Sequence, residues 1–509
     1  MRGFLAAIAA GTLSLTGAAS AQDTPQDADT AAWWKIIGHL SSDAHEGRDT
    51  GSIGHKRAVT WTARALAEAG LRPAGDDGGW LQSVPLNEVR VESEGTSFQV
   101  IADGASSELR FLHDISVRAD AALPARIEAG LAFRGYCGPD EVGPDVAGRI
   151  LLCFNARRPG LPSAQDRTAA ALAAGAVALI NIDDPGYTLE PPRWPEAYAR
   201  RISIRVPAAA PTAAEPAPFL PTMRLNFNAL PKLLAGSGLP AGALLETAMA
   251  GAPLAAADLP ARMAIRFARS QRSFASDNVL GLLPGTDPAL ADQLLVVSAH
   301  IDAYGFGEPV DGDGLYNGAF DDAAYVAALI RLAHSRAGKG YRRPVLFAIF
   351  TGEEKGLLGA RWLVEHARPE GARMVADINL DAIRPLFPLK ALTLIGLEYS
   401  DMVEHVRAVA APMGVEVRPD MEPIRGMIGR TDAAPFLRAG IPAVSFMFAY
   451  DPGSEEEARF REWYRTRYHK PQDDITQPID FIAARDFNRF FYALTARVAD
   501  ADTPPMMTK

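Results

Sequence analysis

Two histidines and a set of carboxylates stand where a metal ion could be held. His300 and Asp302 close the run QLLVVSAHID, and Asp321 and Asp322 lie in GAFDDAAYV. Glu353 and Glu354 follow LFAIFTG, Asp381 follows VADINL, and His469 lies in RYHKPQDD. Imidazole nitrogens mixed with carboxylate oxygens suit zinc, with manganese or cobalt as substitutes. A cysteine-rich site is excluded, because the only cysteines are Cys137 and Cys153. If one carboxylate bridges, His300, Asp321, Glu354, Asp381 and His469 give each of two ions one imidazole, one terminal carboxylate and the shared bridge. Open positions then remain for water and substrate, as a catalytic site requires. Two ions about 3.5–4 Å apart can clamp the attacking and departing oxygens of a hydrolysis. Asp302, two residues after His300, is placed to accept the free imidazole N–H and fix its tautomer.

Each of these residues alone has an ordinary explanation. A histidine at a strand end is usually structural, a Glu pair at a helix start is usually a cap, and paired aspartates in a loop are usually turn chemistry. Their placement changes the argument. After about residue 275 the chain reads β-α-β, with buried-strand runs QLLVVSA, PVLFAIF, MVADINL, LTLIG and AVSFMF. Helical patterns such as AAYVAALIRLAHSRA and GLLGARWLVEHA lie between most of them. Continuous apolar strands alternating with helices predict an α/β fold, a mainly parallel sheet with helices on both faces. Ligand sites in such sheets form beyond the carboxyl ends of the strands. The candidate ligands follow those ends, so they are expected to converge on one edge.

The rest of the chain divides by texture. Residues 1–21 read as a signal peptide: Arg2, an apolar stretch too short for a span of about 20 residues, then Ala19-Ser20-Ala21 as a cleavage site. An exported protein, periplasmic or secreted, with no membrane span in the mature chain is expected. Residues 22–87 contain two helical patterns, the second ending at Gly70. Residues 88–269 read as a separate β-rich module, with strand-like SFQVIADG, LAFRGYC and RILLCFN, a helical run DRTAAALAAGAVALI, and a loop or extended segment VPAAAPTAAEPAPFLP. Cys137 and Cys153 lie in strand-like runs and are open to either pairing or two buried thiols. Residues 270–509 carry the β-α-β half. The net charge of -10 argues against nucleic acid as the main partner. His334, His366 and His405 fall in helical stretches and read as surface residues.

The blocks SAHID, NGAFDD, FTGEEKGLLGA, INLDAI and RYHKPQDD, in this order and spacing, resemble the metal-binding blocks of the zinc aminopeptidases of peptidase family M28. The opening EGRDTGSIG resembles that family's first segment. The module containing GPDEVGPDVAGRILLCF resembles the protease-associated domain inserted in many members. The resemblance implies two zinc ions and a peptide substrate. It implies that Asp321 bridges, that His300 and Asp381 hold one ion, and that Glu354 and His469 hold the other. Asp302 would support His300, Asp322 would follow a cis peptide bond, Glu353 would be the general base, and Tyr468 would stabilise the oxyanion. Two departures stand out. Ala433 occupies a position where the family usually has a histidine, and Tyr325 follows Ala324 where small residues are usual. Alternatives on the same scaffold are dipeptidase, carboxypeptidase or glutaminyl cyclase chemistry, or a non-catalytic binding protein.

Overall fold

The computed structural model describes residues 24–25, 27–205, 218–366, 372–381 and 383–508. The expected signal peptide lies outside the described residues, as do residues 206–217 of the Pro/Ala-rich stretch.

The half that carries the candidate ligands is built on a ten-stranded sheet. At its centre Ala443–Phe448, Arg373–Asn379, Gln293–His300 and Val345–Phe350 run parallel in that spatial order. These strands read as unbroken apolar runs because both faces are covered. Leu295, Val297 and Ala299 enter one core, while Leu294 and Val296 enter the other. Helices Ile53–Glu68 and Ala324–Ser335 pack on the first face, and Leu358–His366 and Ala433–Arg438 on the second. Gly70, just past the helix Ile53–Glu68, has φ +83°, a left-handed stop that glycine adopts without penalty.

The parallel run is confined to this centre and to the pair Ala391–Ile395 and Glu416–Arg418. Toward the other edge Arg269–Leu283, Leu81–Val91 and Ala199–Ile204 are antiparallel to their neighbours. The sheet is therefore mixed. The antiparallel strands come from the segments that leave and re-enter this half around the β-rich module. Leu81–Val91 runs through the boundary placed near 88, and Ala199–Ile204 returns from within 88–269 to pair with it.

The module between them has its own eight-stranded sheet and its own core. Its centre is also parallel: Arg126–Phe133, Ile150–Asn155, Ala178–Asp183 and Thr222–Leu225. The run read as one helix at 166–180 divides into helix Ala164–Ala173 and strand Ala178–Asp183, with Gly175 at φ +74° between them. Cys137 and Cys153 are joined by a disulfide inside this module, both fully buried.

Candidate metal centre

The four central strands point their carboxyl ends the same way, and the candidate ligands gather there. His300 is the last residue of its strand and is 1% exposed. Its Nε2 lies 3.4 Å from Asp321 Oδ1 and 4.0 Å from Asp381 Oδ1. The other Asp321 oxygen, Oδ2, lies 3.3 Å from His469 Nε2, which is also 3.3 Å from Glu354 Oε1. Two three-residue groups result, His300/Asp321/Asp381 and Asp321/Glu354/His469, with Asp321 common to both. His300 Nε2, Asp321 Oδ2 and Glu354 Oε1 are buried and have no hydrogen-bond partner. Buried polar atoms are rarely left so. These are the donor atoms that a pair of metal ions would occupy, so the residues fit the group.

The loop bearing Asp321 is held from several sides. A widened helical turn, Ala319–Ala323, leads into the helix Ala324–Ser335, and the Asp321–Asp322 peptide is cis. Gly318 precedes it at φ +61°, where a Cβ would collide with the Asp321 carbonyl oxygen and the Ala303 side chain. Asp473 accepts from the backbone N–H groups of Phe320 and Asp321 at 2.9 and 3.0 Å. Asp322 accepts from the His300 backbone N–H at 3.0 Å. The wholly buried Arg48 donates to the carbonyls of Leu40, Ile301, Asn317 and Gly318, each at 2.7 Å. It thus ties the His300 loop to the Asp321 loop.

Asp302 does not hold His300 in the way expected. His300 Nδ1 meets the Asp302 backbone carbonyl at 3.0 Å, whereas the carboxylate stands 3.8 Å away. That carboxylate accepts from Thr50 Oγ1 at 2.9 Å and from the Glu353 backbone N–H at 3.1 Å. Asp302 therefore fixes His300 through its main chain and Glu353 through its side chain. Glu353 places Oε2 3.9 Å from His300 Nε2. His469 Nδ1 meets the Tyr304 hydroxyl at 3.0 Å. Tyr468 stacks on His469, and its hydroxyl accepts from Arg430 at 3.1 Å. Tyr325 is buried beside Arg384, and Ala433 packs in the second-face core. Among the histidines read as surface residues, only His366 is exposed, stacked on Trp362; His334 and His405 are half-buried.

The electrostatics are those of too many acids in one place. Burial raises Glu353 well above the usual carboxylate range, His300 opposes this, and Asp381 and Glu354 reinforce it. Asp381 is pushed up to about 6, first by burial. Burial also works against ionised Asp321, yet the Arg384 guanidinium and both imidazoles hold it well below its ordinary value. For Glu354, His469 outweighs burial and lowers it. Burial would lower His300, but Asp322 and Glu353 raise it. Carboxylates forced together in a dry site call for cationic charge.

Several supporting residues escaped sequence reasoning: Arg48, Thr50, Tyr304, Arg384 and Asp473. Arg384 lies 3.4 Å from Asp321 Oδ2 and over the Trp463 ring. Asp473 sits four residues after His469 in an already noted block. Arg48 and Thr50 lie in the noted opening segment EGRDTGSIG, which assigned neither a role because their partners are up to 270 residues away, and for Tyr304 and Arg384 no local pattern points to the site.

Residues 278–495 match the family model described as peptidase family M28. That segment, somewhat under half of the chain, is thus similar to peptidase family M28. Among characterised relatives, it is 26% identical over 243 residues to leupeptin-inactivating enzyme 1 of Streptomyces exfoliatus, covering 45% of this chain and 50% of that one. It is 27% identical over 205 residues to aminopeptidase YwaD of Bacillus subtilis, covering 39% and 40%. The matched segments thus span half or less of these relatives. In fold, the chain is similar to an aminopeptidase from Aneurinibacillus sp. strain AM-1, at TM-score 0.61 and 18% identity, over 93% of this chain and 95% of that one. It is similar also to BSAP, a zinc aminopeptidase from Bacillus subtilis, at TM-score 0.60 and 18% identity, over 93% and 96%.

Proposed function

We propose that this chain is a member of peptidase family M28, an exported zinc peptidase that releases residues from the free N-termini of peptides. The observation that carries the reading is Asp321, which turns one carboxylate oxygen toward each imidazole, at 3.4 and 3.3 Å. In this reading His300 and Asp381 would hold one zinc ion and Glu354 and His469 a second, with Asp321 shared between the two groups. Zinc, when bound, would supply a Lewis acid that polarises the scissile carbonyl and acidifies a water. Glu353 takes the proton of the attacking water on its carboxylate and passes it to the leaving amine nitrogen. Asp302 orients Glu353 by accepting its backbone N–H. The Asp302 carbonyl and the Tyr304 hydroxyl orient the two imidazoles through their Nδ1 atoms. Tyr468 accepts from Arg430, so its own proton is free to donate, and burial keeps that proton on. It is the donor we assign to the developing oxyanion.

The names of the relatives support peptide hydrolysis, and retention of the complete ligand set with Glu353 argues against a binding-only role. The leader pattern and the Cys137–Cys153 disulfide support an oxidising compartment outside the cytoplasm. We read the inserted module as protease-associated-like. Among the described residues no helix is long and apolar enough to cross a membrane. The test is elemental analysis together with a panel of aminoacyl and N-blocked fluorogenic substrates. About two zinc ions per chain and cleavage restricted to free N-termini are expected. A metal-free, chelator-insensitive protein, or preference for N-blocked substrates, would overturn the reading.

A further inference from the structure

A cleft of about 710 Å³ lies between the inserted module and the catalytic sheet, and its wall includes Glu354 and Tyr304. Tyr304 is hydrogen-bonded to His469, so the cleft opens onto one side of the metal centre. Its charge runs against the acidic total of the chain. Arginines from both halves line it, and Glu196 and Glu354 are its carboxylates.

Some of these cations are already matched. Arg200 sits between Asp49 and Glu88, Arg201 pairs with Asp120, and Arg224 spans Asp183 and Glu196. Three are not. Among the described residues Arg118, Arg167 and Arg361 line the cleft with no carboxylate within ion-pair distance. Arg118 is exposed and Arg361 half-buried. Arg167 is 3% exposed, and its guanidinium donates only to neutral acceptors, the side-chain oxygens of Asn155 and Asn181 and the Pro162 carbonyl. Burial and the nearby Arg157 depress it to about 10. A buried guanidinium without a counter-charge is costly, and an anion in the cleft relieves that cost.

The dimensions select the anion. A volume of 710 Å³ corresponds to about 9 Å on a side, which an extended chain at about 3.3–3.6 Å per residue fills with two to three residues. Glu354 and Tyr304 share that cleft with the unmatched arginines, so a short peptide with its first peptide bond at the metal centre would extend its C-terminal carboxylate along the cleft they line. We propose that this cleft is a carboxylate-receiving subsite, in which Arg118, Arg167 and Arg361 select short peptides by their free C-terminus. The proposal rests on the peptidase reading above and narrows it to di- and tripeptides. The planar guanidinium fork matches a carboxylate, so recognition is directional as well as coulombic.

The experiment compares kcat/KM of the zinc-loaded full chain on Leu-Gly-Gly, on its C-terminal amide, and on Leu-Gly-Glu amide, which carries its carboxylate on a side chain. The free acid is expected to exceed its amide by about tenfold, the size of one charge-assisted hydrogen bond. In the Arg118→Gln/Arg361→Gln double variant that ratio is expected to fall toward one. Arg262→Gln, at an exposed arginine paired with Glu128 in the module, is expected to keep it. Equal rates on acid and amide overturn the proposal and leave the peptidase reading standing. Preference for the side-chain carboxylate overturns the choice of the C-terminus. An unchanged ratio in the double variant overturns the residue assignment. Hydrolysis of none of the three overturns the peptidase reading, and this proposal with it.

Discussion

Both halves of this molecule end a set of parallel strands in charged residues, yet the charges meet different fates. At the edge of the inserted module's sheet, Asp183 is paired with Arg224 at 2.6 Å and accepts from Trp194 Nε1 at 3.0 Å. The adjacent Asp184 accepts from the Gly186 N–H at 2.8 Å and faces Arg158 at 3.3 Å. At the edge of the ten-stranded sheet, oxygens of Asp321 and Glu354 and a nitrogen of His300 are buried without hydrogen bonds. Burial of charge is common to both edges. What separates architecture from a binding site is whether the protein itself satisfies the charge.

The largest expected effect tests that distinction directly. Asp321→Ala removes the shared ligand and should abolish zinc retention and peptide hydrolysis together, measured by elemental analysis and turnover. Asp183→Asn, at the satisfied edge, should lower the melting temperature and leave zinc content unchanged. If Asp183→Asn also sheds zinc, the comparison fails.

Glu353→Gln comes next. Proton transfer by a positioned side chain contributes about 10²–10⁴-fold, so kcat should fall by that order while both metals stay bound. Unchanged turnover would remove Glu353 from the mechanism.

Below these effects lies the stability of the module alone. Replacing Cys137 and Cys153 with alanine opens a loop with sequence separation 16, which is expected to cost about 3 kcal/mol in thermal or urea unfolding. Because the disulfide lies wholly within the module, zinc affinity should not change. A loss of zinc would show that the two halves are more tightly coupled than their separate cores imply.

The smallest effect concerns the contact between the halves. Glu190 of the module receives Arg430 of the catalytic part through two bonds of 2.6 and 2.8 Å. Burial opposes ionisation of Glu190, but Arg430 holds it well below its ordinary value. A depressed carboxyl contributes stability that is complete above its unfolded value, about 4.3, and is lost as pH falls below it. Glu190→Gln should therefore lower stability at pH 7 by about 1–3 kcal/mol. The gap from wild type should close on acidification, as seen in unfolding midpoints at pH 7, 5 and 3. A gap that is constant with pH would assign the loss to packing and not to charge.

The sequence by itself determined the candidate ligand set and the sheet that carries it. His300, Glu353 with Glu354, and Asp381 each follow an apolar run that had to be a doubly covered strand, because no exposed strand tolerates such continuous hydrophobicity. The extent of the parallel run was not legible, because strand direction depends on how the chain leaves for the inserted module and returns, not on local periodicity. Only the tertiary structure decided which atoms do the supporting work. Asp302 turns its carbonyl, not its carboxylate, to His300, while Tyr304 and Arg384 reach the centre from outside any noted block and Arg48 from an opening segment that assigned it no role. The pairing of Cys137 with Cys153 and the matching of some cleft arginines but not others were settled at the same level. Residue type and spacing fix what a chain can ligate. Distance between segments remote in sequence, set by packing, fixes which charges are left unsatisfied and therefore available to a ligand.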